Sequence, residues 1–299
     1  MTNDMNVGQA YSACLAMARR HYENFPVASW LLPKRLRMPV AAIYAFARTA
    51  DDIADEGDVL TETRLQGLDD YARALDDCID GNSTTNNPVF IALGDVIQQH
   101  GLDGTLLHDL LRAFRMDITK HRYANFAEIL AYCHYSANPV GRLLLQLDGQ
   151  TDPELMEQSD AVCSALQLIN FYQDLAQDYD ENDRIYLPQD EMDTLGVNEE
   201  QIANRITNQA MRNLMIIQFR RCRALMYAGA PLAWSIRGRL GLELKLTILG
   251  GLRILDRLER QTDLFSRPRL RTKDYVWMVG HALTPTPPPA HIGHVCRGE

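Results

Sequence analysis

The sequence predicts an all-α, single-domain protein with a central cavity. Three observations predict it. Apolar residues recur with helical spacing along most of the chain, and β-type alternation is scarce. A length of 299 residues, 46% of them hydrophobic, suffices for a substantial core, and no repeat or linker divides the body. Two mostly apolar stretches each carry one narrow line of polar residues that includes a pair of aspartates four positions apart. A surface helix has a broad polar side; these read as buried helices with a thin polar line facing an internal cavity.

In chain order, helices are expected over 8–22, 38–55, 60–79, 88–100, 103–117, 125–147, 154–180, 198–228 and 236–260. Pro39 suits the first turn of the second, where its missing N–H costs nothing. The fourth follows Gly81-Asn82-Ser83-Thr84-Thr85-Asn86-Asn87-Pro88, a loop by composition. Asn138-Pro139 falls inside the sixth and is expected to kink or break it. A charged loop over 180–188 follows the seventh and ends in Arg184-Ile185-Tyr186-Leu187-Pro188. The domain is expected to span 1–283. Residues 284–299, with Pro285 and Pro287-Pro288-Pro289, read as a flexible tail.

The first acidic motif is Asp51-Asp52-Ile53-Ala54-Asp55-Glu56; the second runs from Asn170 to Asp178. In the first, Tyr44, Arg48, Asp51 and Asp55 fall at offsets 0, 4, 7 and 11, one stripe on a helix otherwise covered by Val40, Ile43, Phe46 and alanines. In the second, Gln167, Asn170, Asp174 and Asp178 stand at offsets 0, 3, 7 and 11 among Val162, Leu166, Leu168, Ile169, Phe171 and Leu175. Carboxylates at i and i+4 are neighbours and repel. A cation between them removes the cost, and hard oxygen ligands suit Mg²⁺, which shares its remaining positions with waters and substrate phosphates. Two such stripes on facing helices suit a diphosphate, with Arg48 as a fixed positive charge beside it. Asp52, Glu56 and Asp58 lie off the stripe and read as solvated.

The formal charge of −9 argues against a nucleic-acid partner. It leaves room for a small phosphorylated ligand, because metal ions bridge two sets of negative charge. Cys14, Cys78, Cys133, Cys163, Cys222 and Cys296 include no CxxC pair and read as reduced core thiols. Met1 to Gly8 is polar and lacks an apolar signal core. No apolar run approaches the ~18 residues of a membrane span. The expectation is a cytoplasmic protein, with peripheral contact at the inner membrane face left open.

From His21 to about Arg271 the chain resembles the squalene/phytoene synthase family. Tyr44-Ala45-Phe46-Ala47-Arg48-Thr49-Ala50-Asp51-Asp52-Ile53-Ala54-Asp55 is similar to its first aspartate-rich motif. Gln167 through Asp178, followed by Arg184-Ile185-Tyr186, is similar to its second. Tyr132-Cys133-His134-Tyr135-Ser136-Ala137-Asn138-Pro139-Val140-Gly141 resembles its kinked helix over the prenyl pocket. The resemblance implies the helical isoprenoid synthase fold, a Mg²⁺-diphosphate site and an apolar tunnel for C15 to C30 chains. Two departures narrow it. Where many members have a Ser-x-Ser-Phe segment, this chain has Tyr22-Glu23-Asn24-Phe25-Pro26-Val27-Ala28-Ser29, and where many have Arg before the first Asp of motif two, it has Gln173. Both features resemble the bacterial hydroxysqualene synthase branch of hopanoid-forming pathways.

The resemblance implies ionisation of presqualene diphosphate and capture of the cation by water, with release of diphosphate. Metal ligands are then Asp51, Asp55, Asn170, Asp174 and Asp178. Tyr132 and Tyr186 join the aspartates in catalysis, and His21, Tyr44, Arg48, Asn138, Gln167, Gln173 and Arg184 bind substrate. Functional partners are a presqualene diphosphate synthase and a hydroxysqualene-processing enzyme. Several residues keep two roles open. His21 contacts diphosphate or is structural. Tyr132 and Tyr186 offer hydroxyls to the diphosphate or to water, or are half-buried structural tyrosines. Arg184 is a phosphate contact or a solvated loop arginine, and Arg269 reaches the site or belongs to a surface basic cluster. The stretches around Leu143-Leu144-Leu145 and Leu246-Thr247-Ile248-Leu249 are core first and tunnel lining second. His291 and His294, near Cys296, read as an accidental likeness to a metal motif. Two other functions stay open: condensation of two prenyl diphosphates by a presqualene diphosphate or phytoene synthase, and a non-catalytic binding or assembly member of the family.

Overall fold

A computed structural model describes residues 6–20, 31–57, 59–82 and 86–284. Among these residues there are helices but no strands; Tyr123 and Pro188 form an isolated parallel bridge. Helix α1 (Val7–Arg20) packs on α2 (Lys34–Asp55) and α4 (Pro88–His100), and α3 (Thr61–Ile79) and α5 (Gly104–Thr119) close this half. Its core centres on Phe46, whose ring stacks on Tyr71 at 5.1 Å with Phe90 edge-on at 6.3 Å. The second half comprises α6 (Phe126–Ser136), α7 (Asn138–Leu147), α8 (Pro153–Gln173), α9 (Leu175–Asn182), α10 (Gln189–Leu195), α11 (Glu199–Ala203), α12 (Gln209–Gly229), α13 (Pro231–Ser235), α14 (Gly238–Arg260) and α15 (Thr272–Ala282). Helices α8, α12 and α14 pack together in its core. Helix α5 serves both halves: Leu107 and Leu111 are buried in the first core and Ala113 in the second.

Helix starts follow the capping chemistry of the sequence. Asn87, Asp103, Asn125, Asp152 and Asn208 each accept a hydrogen bond from a backbone N–H in the first turn they cap. No helix is long and apolar enough to cross a membrane among the described residues. Cys14, Cys78, Cys133, Cys163 and Cys222 are free thiols, four of them buried and Cys163 half-buried, and Cys296 lies outside the described residues.

Several expected elements differ. Helix α2 starts four residues early, at Lys34, so Pro39 sits inside it rather than in its first turn. The lost hydrogen bond falls on the carbonyl of Arg35, an exposed residue within reach of water. The helix expected over 125–147 is broken at Ala137, directly before Asn138-Pro139, because Pro139 has no N–H to donate to the carbonyl of Tyr135 and its ring crowds that carbonyl. The helix expected over 154–180 is interrupted at Asp174, where φ and ψ are −108° and 14°. Its second piece continues to Asn182, two residues into the expected loop. The helix expected over 198–228 divides into α11 and α12, because Arg205 takes a positive φ of 52° and Asn208 caps a new start. Helices α10, α13 and α15 lie outside the expected set. Residues 285–299, and with them the expected tail motif at His291 and His294, lie outside the described residues.

Two glycines set the spacing around α8. A Cβ on Gly229 would lie 2.4 Å from the carbonyl oxygen of Gln158, and one on Gly141 would lie 2.3 Å from Ser159 Oγ. Helices α12 and α7 therefore approach α8 more closely than any side chain allows. Gly229→Ala is expected to destabilise the protein by ~2 kcal/mol through overpacking against rigid backbone. Denaturant unfolding monitored by circular dichroism measures it; an unchanged midpoint refutes the close contact.

Candidate active site

Helix α2 carries the first acidic motif on its last two turns. Ala45, Phe46, Ala50 and Ala54 bury one side, leaving Arg48, Asp51 and Asp52 half-buried and Asp55 exposed. Arg48 donates to Asp51 Oδ2 at 3.1 Å and to Glu56 Oε1 at 2.9 Å, and also pairs with Asp52. The sequence suggested an arginine aimed at a phosphate and solvated acids beside it. Instead, Arg48 is shared among three carboxylates of its own helix, because each lies within one or two turns of it.

The second motif straddles the break between α8 and α9. Its hydrogen-bond ladder survives there: Asp174 N–H donates to Asn170 O at 2.9 Å and Asp178 N–H to Asp174 O at 2.8 Å. Asp174 is buried and pairs with Arg267, whose Nε lies 2.5 Å from Oδ1 and Nη2 3.1 Å from Oδ2. Gln173 donates its side-chain N–H to Pro268 O at 2.6 Å. The position that carries arginine in many family members thus anchors the 266–271 segment, and Arg267 of that segment supplies the guanidinium at Asp174. Arg269, the residue singled out in the sequence, instead lines a cleft of about 610 Å³ with Arg257, Arg260 and Arg271.

Arg184 joins the two motifs. It donates through Nη2 to Asp55 Oδ1 at 2.9 Å and to Asp117 O at 2.9 Å. Neighbouring contacts hold its loop in place. Ile185 N–H donates to His121 O at 3.0 Å, and Arg122 pairs with both Asp183 and Glu199 at 2.7 Å. The solvated-loop role is excluded.

Asp117 is the residue that the sequence reading missed. It is buried at the end of α5 and accepts from Tyr132 Oη at 2.9 Å. The signal was present: Leu106, Leu110, Ala113 and Asp117 share one buried stripe at offsets 0, 4, 7 and 11. Tyr132 therefore points its hydroxyl into this buried pair. Around it Tyr123, Phe171 and Tyr186 form one aromatic cluster, with Phe171 and Tyr186 stacked at 3.6 Å. Asp117 Oδ1, Tyr123 Oη and Arg184 Nε are buried without a hydrogen-bond partner.

The electrostatics follow from crowding. Burial, then Asp55 and Asp52, push Asp51 up to about 6 against the opposing Arg48. Burial and then Asp174 push Asp178 up to about 7. Burial raises Asp117 to about 7, with Arg184 and Tyr132 opposing. Asp174 is raised as well, by burial, with Arg267 opposing. Among the described residues no group of three or more His, Cys, Asp or Glu side chains is gathered for a metal. The donor set still fits Mg²⁺, which binds through one or two carboxylates per site together with phosphate oxygens. Each motif offers a pair of hard oxygen donors whose mutual repulsion a cation would relieve.

The remaining expected site residues divide. Tyr44 and Gln167 are half-buried on their stripes and Asn170 is exposed beside Asp174. Asn138 is buried and its Oδ1 accepts from Ser164 Oγ at 2.9 Å, which ties α7 to α8. Leu143, Leu145, Ile248 and Leu249 are buried core residues. His21 and the 22–29 segment lie outside the described residues, as does Asp58.

Comparison with known proteins places this geometry in context. The chain is 37% identical over 255 residues, 85% of each chain, to a hydroxysqualene synthase of Rhodopseudomonas palustris. It is 32% identical over 191 residues, 64% of this chain and 61% of the other, to a phytoene synthase of Mycobacterium tuberculosis. Its structure is similar to that of squalene synthase HpnC from Alicyclobacillus acidocaldarius, with a TM-score of 0.80, 35% identity and coverage of 88% of this chain and 97% of the other. The family model described as squalene/phytoene synthase matches residues 18–275, and the chain belongs to that family.

Proposed function

We propose that the protein converts presqualene diphosphate and water to hydroxysqualene and diphosphate, with Mg²⁺ as cofactor. The observation that carries the reading is the 37% identity to the R. palustris hydroxysqualene synthase across 85% of both chains. The arrangement at Gln173 supports it: an amide replaces a guanidinium beside Asp174, and the compensating charge arrives from Arg267. The similarity to a phytoene synthase supports a second reading, condensation of two prenyl diphosphates. Turnover of farnesyl or geranylgeranyl diphosphate alone would establish it.

In this reading Asp51 and Asp55 on one side, and Asn170, Asp174 and Asp178 on the other, would hold Mg²⁺, which would supply positive charge for a departing diphosphate. Arg184 stands between the motifs and adds a guanidinium to the same region, where low exposure strengthens its field. The Tyr123–Tyr132–Phe171–Tyr186 cluster excludes water and offers π-electron density near a developing cation. Asp117, raised to about 7 and holding the Tyr132 hydroxyl, is a buried carboxylate suited to taking a proton from water at neutral pH. Arg267 and Gln173 set the charge and position of Asp174 without reaching the carbon skeleton.

Four outcomes are expected. Purified enzyme given presqualene diphosphate in ¹⁸O-water, with NADPH present, yields a hydroxylated C30 product carrying the label. A label-free squalene product with matching NADPH oxidation would move the chain to reductive chemistry.

Asp174→Asn lowers kcat at least about tenfold, ~1.4 kcal/mol, with the helical signal retained. Gln173→Arg lowers kcat/KM by about tenfold, because a second guanidinium beside Arg267 over-neutralises Asp174. Steady-state kinetics with wild-type values for either variant would place that residue outside the reacting environment.

The fourth concerns pH. Asp51, Asp117 and Asp178 have folded-state values raised to about 6, 7 and 7, above the ordinary 3.8, so the native state binds their protons more tightly than the unfolded state. Stability should therefore fall as pH rises through about 6 to 7. Added Mg²⁺ with inorganic diphosphate should restore it on the alkaline side. Thermal unfolding across this range, with and without Mg²⁺, tests both; a midpoint that rises with pH, or ignores Mg²⁺ with diphosphate, contradicts the assignment.

A further inference from the structure

Helix α15 presents two opposite faces. Its inner face is locked to α14 by Asp274, which is fully buried and accepts from Arg253 Nη2 at 2.8 Å, from Arg257, and from the backbone N–H of Arg271 at 2.7 Å. Met278 and Ala282 complete the contact with Leu249. Arg253 also lies over the Trp277 ring at 4.9 Å. The helix is therefore held in one rotation about its axis.

That rotation turns four large apolar side chains outward. Tyr275 is 55% exposed, Val276 71%, Val279 54% and Leu283 76%. Their spacing places them within about a third of the helix circumference. Lys273 and Gly280 share this outward side, and no acidic residue does. Scattered apolar residues are ordinary on a surface; a contiguous apolar stripe on one short helix marks an interaction site.

The adjoining surface is basic. Arg260, Arg267, Arg269, Arg271 and Lys273 line the cleft that opens at the start of α15. This concentration stands out in a chain whose formal charge is −9. Arg267 in the cleft wall also pairs with Asp174, so the basic surface adjoins the acidic site.

We propose that the outward face of α15 and the basic rim beside it dock the protein on an anionic lipid surface. An apolar stripe with cationic flanks is the pattern of a helix that lies in the plane of a bilayer interface. The stripe enters the boundary of headgroups and acyl chains, while the arginines and Lys273 meet lipid phosphates. Charge complementarity favours this occupant over a second copy of the chain. A two-fold contact would set the same basic rim against itself. The proposal does not depend on which prenyl diphosphate the enzyme uses, because docking is read without substrate.

The test is flotation of the full-length protein with two kinds of vesicle: phosphatidylcholine alone, and phosphatidylcholine with phosphatidylglycerol. The mixed vesicles are expected to carry the protein at low salt and to release most of it at high salt. Val276→Asp/Val279→Asp and Arg269→Glu/Lys273→Glu should each weaken binding by about tenfold or more, with unchanged circular dichroism and thermal midpoint. If the apolar pair perturbs folding, the charge-reversal pair, which alters only exposed residues, carries the test alone. Absence of wild-type flotation with either vesicle overturns the proposal. So does equal flotation of wild type and the charge-reversal variant. A dimer in light scattering that Val279→Asp converts to monomer, with flotation unaffected, would assign the face to self-association instead.

Discussion

An excess of carboxylates over cations in a poorly hydrated space is the constraint on which this site depends. Asp51, Asp55, Asp117, Asp174 and Asp178 are countered by Arg48, Arg184 and Arg267. Arg48 is divided among Asp51, Asp52 and Glu56, and Arg267 pairs with Asp174. Of these three arginines, Arg184 spans the two halves of the molecule, from the loop after α9 to Asp55 on α2 and the carbonyl at the end of α5. Burial raises Asp51, Asp117, Asp174 and Asp178, while Asp55 and Arg267 stay exposed. The fold thus keeps a surplus of negative charge between the two motifs.

Beneath this layer the aromatic cluster performs a different task. Tyr123, Tyr132, Phe171 and Tyr186 come from the segment before α6, from α6, from α8 and from the loop after α9. Their rings pack against one another beside the buried Tyr132–Asp117 pair. The helix carrying Asp117 is shared by both cores. The buried carboxyl therefore sits where the two halves meet, and its hydrogen bond to Tyr132 is part of the join.

Much of this was legible in the chain. The i,i+4 aspartates, the apolar flanks of α2 and α8 and the Asn138-Pro139 break each follow from local periodicity or proline chemistry. What escaped was non-local. Nothing within α8 announces a break at Asp174, because its backbone departs from helical values only there and the ladder continues on both sides. Asn138 stands in a recognisable motif, but its partner Ser164 lies far along the chain. Arg267 and Arg269 are both exposed and two residues apart; which one reaches Asp174 is settled by the hydrogen bond from Gln173 to Pro268 between them. Asp117 was readable by the same stripe argument that identified Asp51, but with no second carboxylate one turn away its helix drew no attention.

The end of α9 has a consequence for how the chain can vary. Asp183 adopts a left-handed conformation, φ 50°, while Arg184 N–H closes back onto Asp178 O at 3.0 Å and Asp183 N–H onto Tyr179 O at 3.1 Å. This reverse cap measures out the chain between the last aspartate of the second motif and the arginine that reaches the first. Adding or deleting one residue there would shift the cap and swing the guanidinium away from Asp55. Between Asp178 and Arg184 the length must be inherited, together with a residue at 183 that accepts a left-handed conformation and pairs with Arg122.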